Sequence, residues 1–284
     1  MSHHWKKFSW LFMARPADMP GAIFIETLRR NWRQVLYWGL GLGLLGYYVQ
    51  IIVPNVDALN EYAQLLATLP PVMLQMLGID GAAAIAKPEG FIGLGFFTYA
   101  LIVMIIYGVL SGMNITASEE DAGILDVLLS LPVPRWRLIV ERFAAYVLIT
   151  TGIAMAGFAG LIAGGSGTAL PVNPARLLSG SLNLVPAVLL VIAFTACMAA
   201  LTRRRALPIT ILFLVASYFI DFLASATTHA LTDALSKLSF FTYYDAQNVM
   251  IQGVTVGNVA VLLAAALVLI AAALWFFQRR DIGG

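Results

Sequence analysis

The chain has 284 residues, of which 60% are hydrophobic and only 11% are charged. Soluble globular proteins carry about 25% charged residues, so this composition excludes an ordinary soluble domain and indicates a membrane protein. The net charge of +2 gives no sign of nucleic-acid binding, and the single cysteine, Cys197, excludes a disulfide within the chain.

The stretch GAIFIETLRRNWRQVLYW leads into the first apolar run. Ile25, Leu28 and Trp32 fall on one helical face, and charged residues lie on the other. This pattern predicts an amphipathic helix that lies along the inner leaflet before the first span. The alternative is the cytoplasmic end of one long first helix.

Six apolar runs are long enough to cross a bilayer, since a spanning helix needs about 20 apolar residues. They cover residues 35–53, 91–117, 143–164, 182–201, 206–226 and 259–277. Only the fifth contains an acidic or basic residue, Asp221. Long, continuous runs favour helices over spanning strands. The sequence therefore predicts an all-α polytopic membrane protein with six transmembrane helices, forming one transmembrane domain over residues 1–284.

Small and polar residues recur at helical spacing inside these runs. The recurring glycines are Gly39, Gly43 and Gly46, then Gly108 and Gly112, then Gly157, Gly160 and Gly164. Such spacing lets helices approach closely, either within one chain or between two. In the second run Tyr107, Ser111 and Asn114 share a face that serves either a substrate pathway or a helix-packing hydrogen bond.

Ser217 and Asp221 share a face of the fifth run. A carboxylate at membrane depth is a candidate functional group, so this face is predicted to line part of a substrate pathway through the membrane. The alternative is an interfacial Asp221 that hydrogen-bonds nearby backbone or the polar and aromatic segment before the last span. We expect one or two short outer helices in that segment.

The positions of Lys and Arg predict the orientation, because basic residues concentrate on the cytoplasmic side. With a cytoplasmic N-terminus, only Lys87, Arg176 and Lys237 of the 17 basic residues lie outside, and the other 14 lie inside. Both termini are then cytoplasmic. The loop between the second and third spans also faces the cytoplasm.

This loop, SEEDAGILDVLLSLPVPRWR, concentrates charge in a chain that has little. Acidic residues follow Ser118, where the helix dipole favours negative charge, and Pro132 ends the predicted helix over residues 118–131. Its apolar body, GILDVLLSL, is too short to span. It therefore needs cover from the membrane interface or from the groove of a partner protein.

The loop resembles that of permease subunits of ATP-binding cassette (ABC) transporters in the type-2 exporter family. The matching residues are Glu119, Glu120, Gly123, Leu125, Asp126, Leu128, Leu129, Ser130, Pro132 and Arg135. The six-span topology, the amphipathic lead-in and the outer segment are also similar to that family. The resemblance implies that residues 118–131 form a coupling helix, which docks on a cytoplasmic ATPase subunit.

The resemblance further implies a pair of permease chains, identical or related, with a pair of ATPase subunits that hold ATP and Mg²⁺. It implies an exporter in the cell membrane of a prokaryote; the apolar spans suit a hydrophobic or amphipathic solute. The chain itself is not expected to be an enzyme, because none of its four lysines follows a glycine as in a phosphate-binding loop. No catalytic or metal-binding set is expected, since His3 and His4 lie on the opposite side from His229.

Two other classes of protein stay open. A secondary transporter or channel would need no ATPase, but such proteins often carry several intramembrane ionisable groups and internal repeats. Here only Asp221 qualifies, and the halves of the chain show no convincing repeat. A non-transporting membrane anchor would recruit a cytoplasmic partner through the same loop.

Overall fold

The computed structural model of the chain describes residues 21–53, 55–70, 73, 86–116, 134–202, 205–226 and 235–279. All regular secondary structure in these ranges is helical, and six helices are long and apolar enough to cross a membrane. The predicted all-α polytopic fold is therefore confirmed. Each of the six helices contains most or all of one predicted span, although the first span was predicted to end one residue beyond its helix, at Val53, and the predicted end of the second, Ala117, lies outside the described residues.

The helices are numbered here in chain order. They are α1 (Ala22–Ile52), α2 (Val56–Ala67), α3 (Pro88–Ile92), a π-helical turn (Gly93–Thr98), α4 (Tyr99–Thr116), α5 (Arg135–Gly165), α6 (Pro174–Leu201), α7 (Ala206–Ala226), α8 (Phe240–Tyr244), α9 (Ala246–Ile251) and α10 (Val256–Arg279). The spanning helices are α1, α5, α6, α7, α10 and the continuous rod of α3, the π-helical turn and α4.

The lead-in before the first span differs from the prediction of a separate helix along the inner leaflet. Residues 22–52 form one uninterrupted helix of 31 residues, which corresponds to the alternative of a long first helix. This stretch contains no proline to break the backbone hydrogen bonding. At about 1.5 Å per residue α1 is roughly 46 Å long, which exceeds the bilayer core of about 30 Å.

Short helices flank two of the spans. The segment before α10 contains α8 and α9, in line with the short helices expected there. A further helix, α2, was not predicted from the sequence. It begins after Asn55, whose side chain accepts a hydrogen bond from the Ala58 backbone N–H at 2.9 Å. This is an ordinary N-cap, so the signal was present in the sequence.

The fourth spanning helix, α6, forms the centre of the bundle. In its most apolar stretch 78% of residues are buried, against 17% in α7. It packs against α4, α5, α7, α9 and α10, whereas α1 packs mainly on α5. The core is therefore built around α6, and α7 lies at the edge.

The glycine rows bring spans together within one chain. A Cβ atom on Gly160 of α5 would overlap the backbone of Gly43 on α1. A Cβ atom on Gly112 of α4 would lie 2.7 Å from the Ile192 carbonyl oxygen of α6. Both distances are too short for a side chain, so these glycines permit α1–α5 and α4–α6 contact inside the chain.

Candidate functional site

The polar face of the second span lies against α5. The Tyr107 hydroxyl oxygen is 3.4 Å from Thr150 Oγ1 of α5, and both side chains are buried. Two helical turns after Tyr107 on α4, Asn114 lies beside Tyr146, which is one turn before Thr150 on α5. We call this contact the α4–α5 polar seam.

Two further contacts define the surroundings of the seam. Trp38 of α1 meets Tyr107 edge to face, with 5.8 Å between the ring centroids. Ser111 is 1% exposed, and its Oγ lies near the Tyr107 hydroxyl without forming a hydrogen bond of normal geometry. These contacts match the helix-packing alternative for this face; its role in a pathway stays a prediction.

The predicted residues of the fifth span meet the segment before α10. The Ser217 carbonyl oxygen accepts a hydrogen bond of 2.9 Å from the buried Ser239 hydroxyl. Asp221 Oδ1 lies 2.9 Å from Thr242 Oγ1, which is also 2.8 Å from the Ser236 carbonyl oxygen. The contact made by Asp221 is thus the one expected of an interfacial residue that binds this segment.

The same segment is fixed to the start of the second span and to α6. Asn183 of α6 donates a 2.6 Å hydrogen bond to the Tyr244 carbonyl oxygen. The buried Tyr244 hydroxyl donates to the Phe97 carbonyl oxygen at 2.9 Å. Phe97 belongs to the π-helical turn, a distortion that often occurs at functional sites. Residues 235–251 are therefore hydrogen-bonded to three spans at this end of the bundle, namely α6, α7 and the second span.

At the opposite end, Glu141 of α5 caps the start of α1. Its Oε2 accepts hydrogen bonds from the backbone N–H groups of Ile23 at 3.0 Å and Phe24 at 3.1 Å, and Oε1 accepts from Gly21 at 3.2 Å. Arg137, one turn before Glu141, forms an ion pair with the same carboxylate. We call this group of contacts the α1 clasp.

The α1 clasp has a simple physical basis. The first N–H groups of a helix have no partner inside it, and the positive end of the helix dipole attracts an anion. Gly21, the N-cap of α1, has a φ of 88° and no side chain that could supply an acceptor. The carboxylate of Glu141 supplies that acceptor from a position 120 residues away in sequence.

Sequence reasoning missed Glu141. The available signals were an acidic residue between Arg137 and Arg142 and a helix start without a capping side chain. Neither signal identifies its partner, because the contact is formed only by the tertiary fold.

The end of α4 is tied to α5 as well. Arg142 Nη1 donates a 2.9 Å hydrogen bond to the carbonyl oxygen of Ile115, in the last turn of α4. A cation suits this position, since the final carbonyl groups of a helix carry partial negative charge. The end of α4 and the starts of α1 and α5 therefore meet where residues 117–133 leave the described bundle.

The predicted coupling residues are mostly outside the part of the chain that the structure describes. Glu119 to Pro132 lie in residues 117–133, whereas Arg135 begins α5. Among the described residues, no group of three His, Cys, Asp or Glu side chains could hold a metal ion, and Cys197 is buried.

A protein-family model matches most of the chain. The family model described as "Multidrug efflux system permease Rv1217c, C-terminal domain" matches residues 27–278. The match begins in the second turn of α1 and ends one residue before the end of α10. It therefore includes most of these two helices, the whole of the other spanning helices, and the loop between α4 and α5. None of the curated proteins matches the chain.

Proposed function

Because the chain belongs to the family of the multidrug efflux system permease Rv1217c, C-terminal domain, we propose that it is the membrane subunit of an ATP-driven exporter. The family and the six apolar helices make it a multi-pass membrane protein and a transport permease. The proposal adds the source of energy, which is a separate cytoplasmic ATPase of the ABC type.

The observation that carries the proposal is the fixed surroundings of residues 117–133. This loop leaves from a point where Glu141 holds the start of α1 and Arg142 holds the end of α4. A protein that pulls or pushes the loop therefore acts on three spans at once. The acidic and apolar sequence of the loop, which resembles a coupling helix, supplies the surface for such a partner.

The proposed cycle assigns binding and chemistry to different chains. ATP and Mg²⁺ bind a pair of ATPase subunits, whose closure moves the coupling helix of each permease. A path between two permease chains, identical or related, then opens to the outside. The permease hydrolyses nothing itself. Its termini lie in the cytoplasm of a prokaryotic cell, and its spans lie in the cell membrane.

The proposed solute is hydrophobic or amphipathic. Asp221 is the single acidic residue in the predicted spans, and it is engaged by Thr242. The remaining polar groups of the predicted pathway are hydroxyls and an amide, contributed by Tyr107, Ser111, Asn114 and Ser217. Such a lining suits hydrophobic or amphipathic solutes that carry at most one delocalised charge, such as ethidium, because burying a localised unpaired ion is costly.

Co-purification tests the proposal. The tagged permease is extracted from its native membranes in mild detergent, and the proteins retained with it are identified. We expect an ATPase with a glycine-rich phosphate loop, and ATP-dependent efflux of ethidium from cells that contain both chains. Replacing the phosphate-loop lysine of the ATPase with alanine should abolish that efflux while leaving the complex intact.

Two results would contradict the proposal. Ethidium efflux by the permease in cells that lack any such ATPase would favour a secondary transporter. A stable complex with a cytoplasmic partner, but without efflux of any tested dye, would favour a membrane anchor.

A further inference from the structure

The proposed transport cycle assigns no step to Glu141, the carboxylate of the α1 clasp. Glu141 lies on α5 and is partly buried. Its carboxylate accepts hydrogen bonds from the backbone N–H groups of Gly21, Ile23 and Phe24 at the start of α1. Charged acceptors form stronger hydrogen bonds than neutral ones. The clasp is therefore a specific attachment between two helix ends rather than general apolar packing.

The attachment lies beside the exit of the loop. Glu141 is six residues after the start of α5 at Arg135, and its neighbour Arg142 holds the last turn of α4. Further into the bundle, α1 and α5 share the glycine contact between Gly43 and Gly160. The helices α1 and α5 are thus joined at their ends by charge and along their length by close packing.

From this geometry we propose that Glu141 is the positioning residue that makes α1 follow α5 when the loop over residues 117–133 is displaced. The inference rests on the proposed function, because it concerns how motion of that loop reaches the first span. Without the carboxylate, the end of α5 still moves with the loop, but the start of α1 does not follow it. ATP is then hydrolysed without a matching movement of solute.

The test compares the number of ethidium molecules transported per ATP hydrolysed by purified permease–ATPase complexes in vesicles. Glu141→Gln removes the charge and keeps the size of the side chain. Glu26→Gln is the matched control, since Glu26 is an exposed carboxylate on the first turns of α1. Coupling between sites is typically worth about 5- to 150-fold, so we expect the transport ratio of Glu141→Gln to fall about tenfold, with hydrolysis nearly unchanged.

The control should keep the wild-type ratio. A wild-type ratio in Glu141→Gln would overturn the inference and leave the proposed function standing. If the wild-type complex itself fails to transport ethidium with ATP, the proposed function fails and the inference falls with it. If Glu141→Gln does not accumulate, the ratio is measured with Glu141→Asp, whose shorter side chain reaches fewer N–H groups; an unchanged ratio there also overturns the inference.

A distance measurement gives a readout that a purely stabilising role would not change. Cysteines that carry spin labels replace the exposed residues Arg29 of α1 and Val140 of α5. The chain also carries Cys197→Ala, so that the native thiol is not labelled. We expect the wild-type distance to stay the same with and without trapped ATP, because the two ends move together. In Glu141→Gln the distance should change on ATP binding; the same distance in both states would contradict the inference.

Discussion

Single residues decide how closely the spans approach and which ends are joined. Gly160 and Gly43 allow backbone contact between α1 and α5, and Glu141 supplies the hydrogen bonds that the start of α1 lacks. The glycine spacing was visible in the sequence. Its partner helix was not, because spacing alone is compatible with contact within a chain or between chains.

Gly160→Ala should destabilise the α1–α5 contact. The added methyl group would overlap the backbone of Gly43, which cannot move without separating the helices. Overpacking of this kind costs about 1–3 kcal/mol, so the thermal unfolding midpoint of the purified protein should fall. The control is Gly41→Ala, where a Cβ atom meets nothing within 4 Å. Equal midpoints for the two variants would contradict the packing described here.

Substitutions at Asp221 and Thr242 distinguish a structural role of the Asp221 carboxylate from a role in the solute pathway. Because it accepts a hydrogen bond from Thr242, both Asp221→Ala and Thr242→Val should lower stability. The expected loss is about 1–3 kcal/mol for each variant, and the double variant should lose less than the sum. Thermal unfolding of the four proteins measures this. If only Asp221→Ala changes the ethidium concentration needed for half-maximal transport, the carboxylate belongs to the pathway instead.

At the scale of elements, the spans were predictable and their connections were not. Long apolar runs identify a spanning helix directly, as all six show. The amphipathic pattern before the first span is shared by an interfacial helix and by the end of a long helix, so the sequence could not separate them. The start of α1 is capped by Glu141, a contact 120 residues distant that no local pattern encodes.

The candidate site divides in the same way. The shared face of Tyr107, Ser111 and Asn114 follows from helical periodicity. Its partners, Thr150 and Tyr146, follow only from the antiparallel packing of α4 on α5. Likewise, the sequence indicated that Asp221 was unusual, while its contact with Thr242 required the fold of the segment before α10.

Substitutions on the apolar face of the loop between α4 and α5 test whether this loop docks on the ATPase. If residues 118–131 are a helix, Leu125 and Leu128 share a face, and Val127 lies off that face. Leu125→Asp or Leu128→Asp should reduce retention of the ATPase about tenfold, because an uncompensated charge would enter an apolar groove. Val127→Asp should retain it about normally. Quantitative co-purification measures the effect, and equal retention by all three variants would argue against docking through this face.

At the scale of the whole molecule, α6 forms the core and the other spans expose apolar side chains. In α7, for example, Leu212 is 68% exposed and Phe219 is 56% exposed. Such surfaces suit lipid or a second permease chain and would be unfavourable in water. Hydrogen bonds join different helices at both ends of the bundle. The α1 clasp lies at one end, and the contacts of the segment that contains α8 and α9 lie at the other.

This arrangement fits a permease that is moved from one end. The contacts at the loop exit join α1, α4 and α5, whereas the contacts of residues 235–251 involve α6, α7 and the π-helical turn. In the proposed cycle the motion comes from ATP hydrolysed by another chain. A secondary transporter with the same spans would instead draw on an ion gradient across the membrane.

The most direct test is ethidium uptake into inside-out membrane vesicles that contain the permease and its ATPase, with a protonophore present to collapse the proton gradient. We expect uptake that continues with ATP and Mg²⁺, stops without ATP, and is blocked by vanadate. Uptake that disappears with the protonophore and proceeds on a proton gradient without ATP would contradict it.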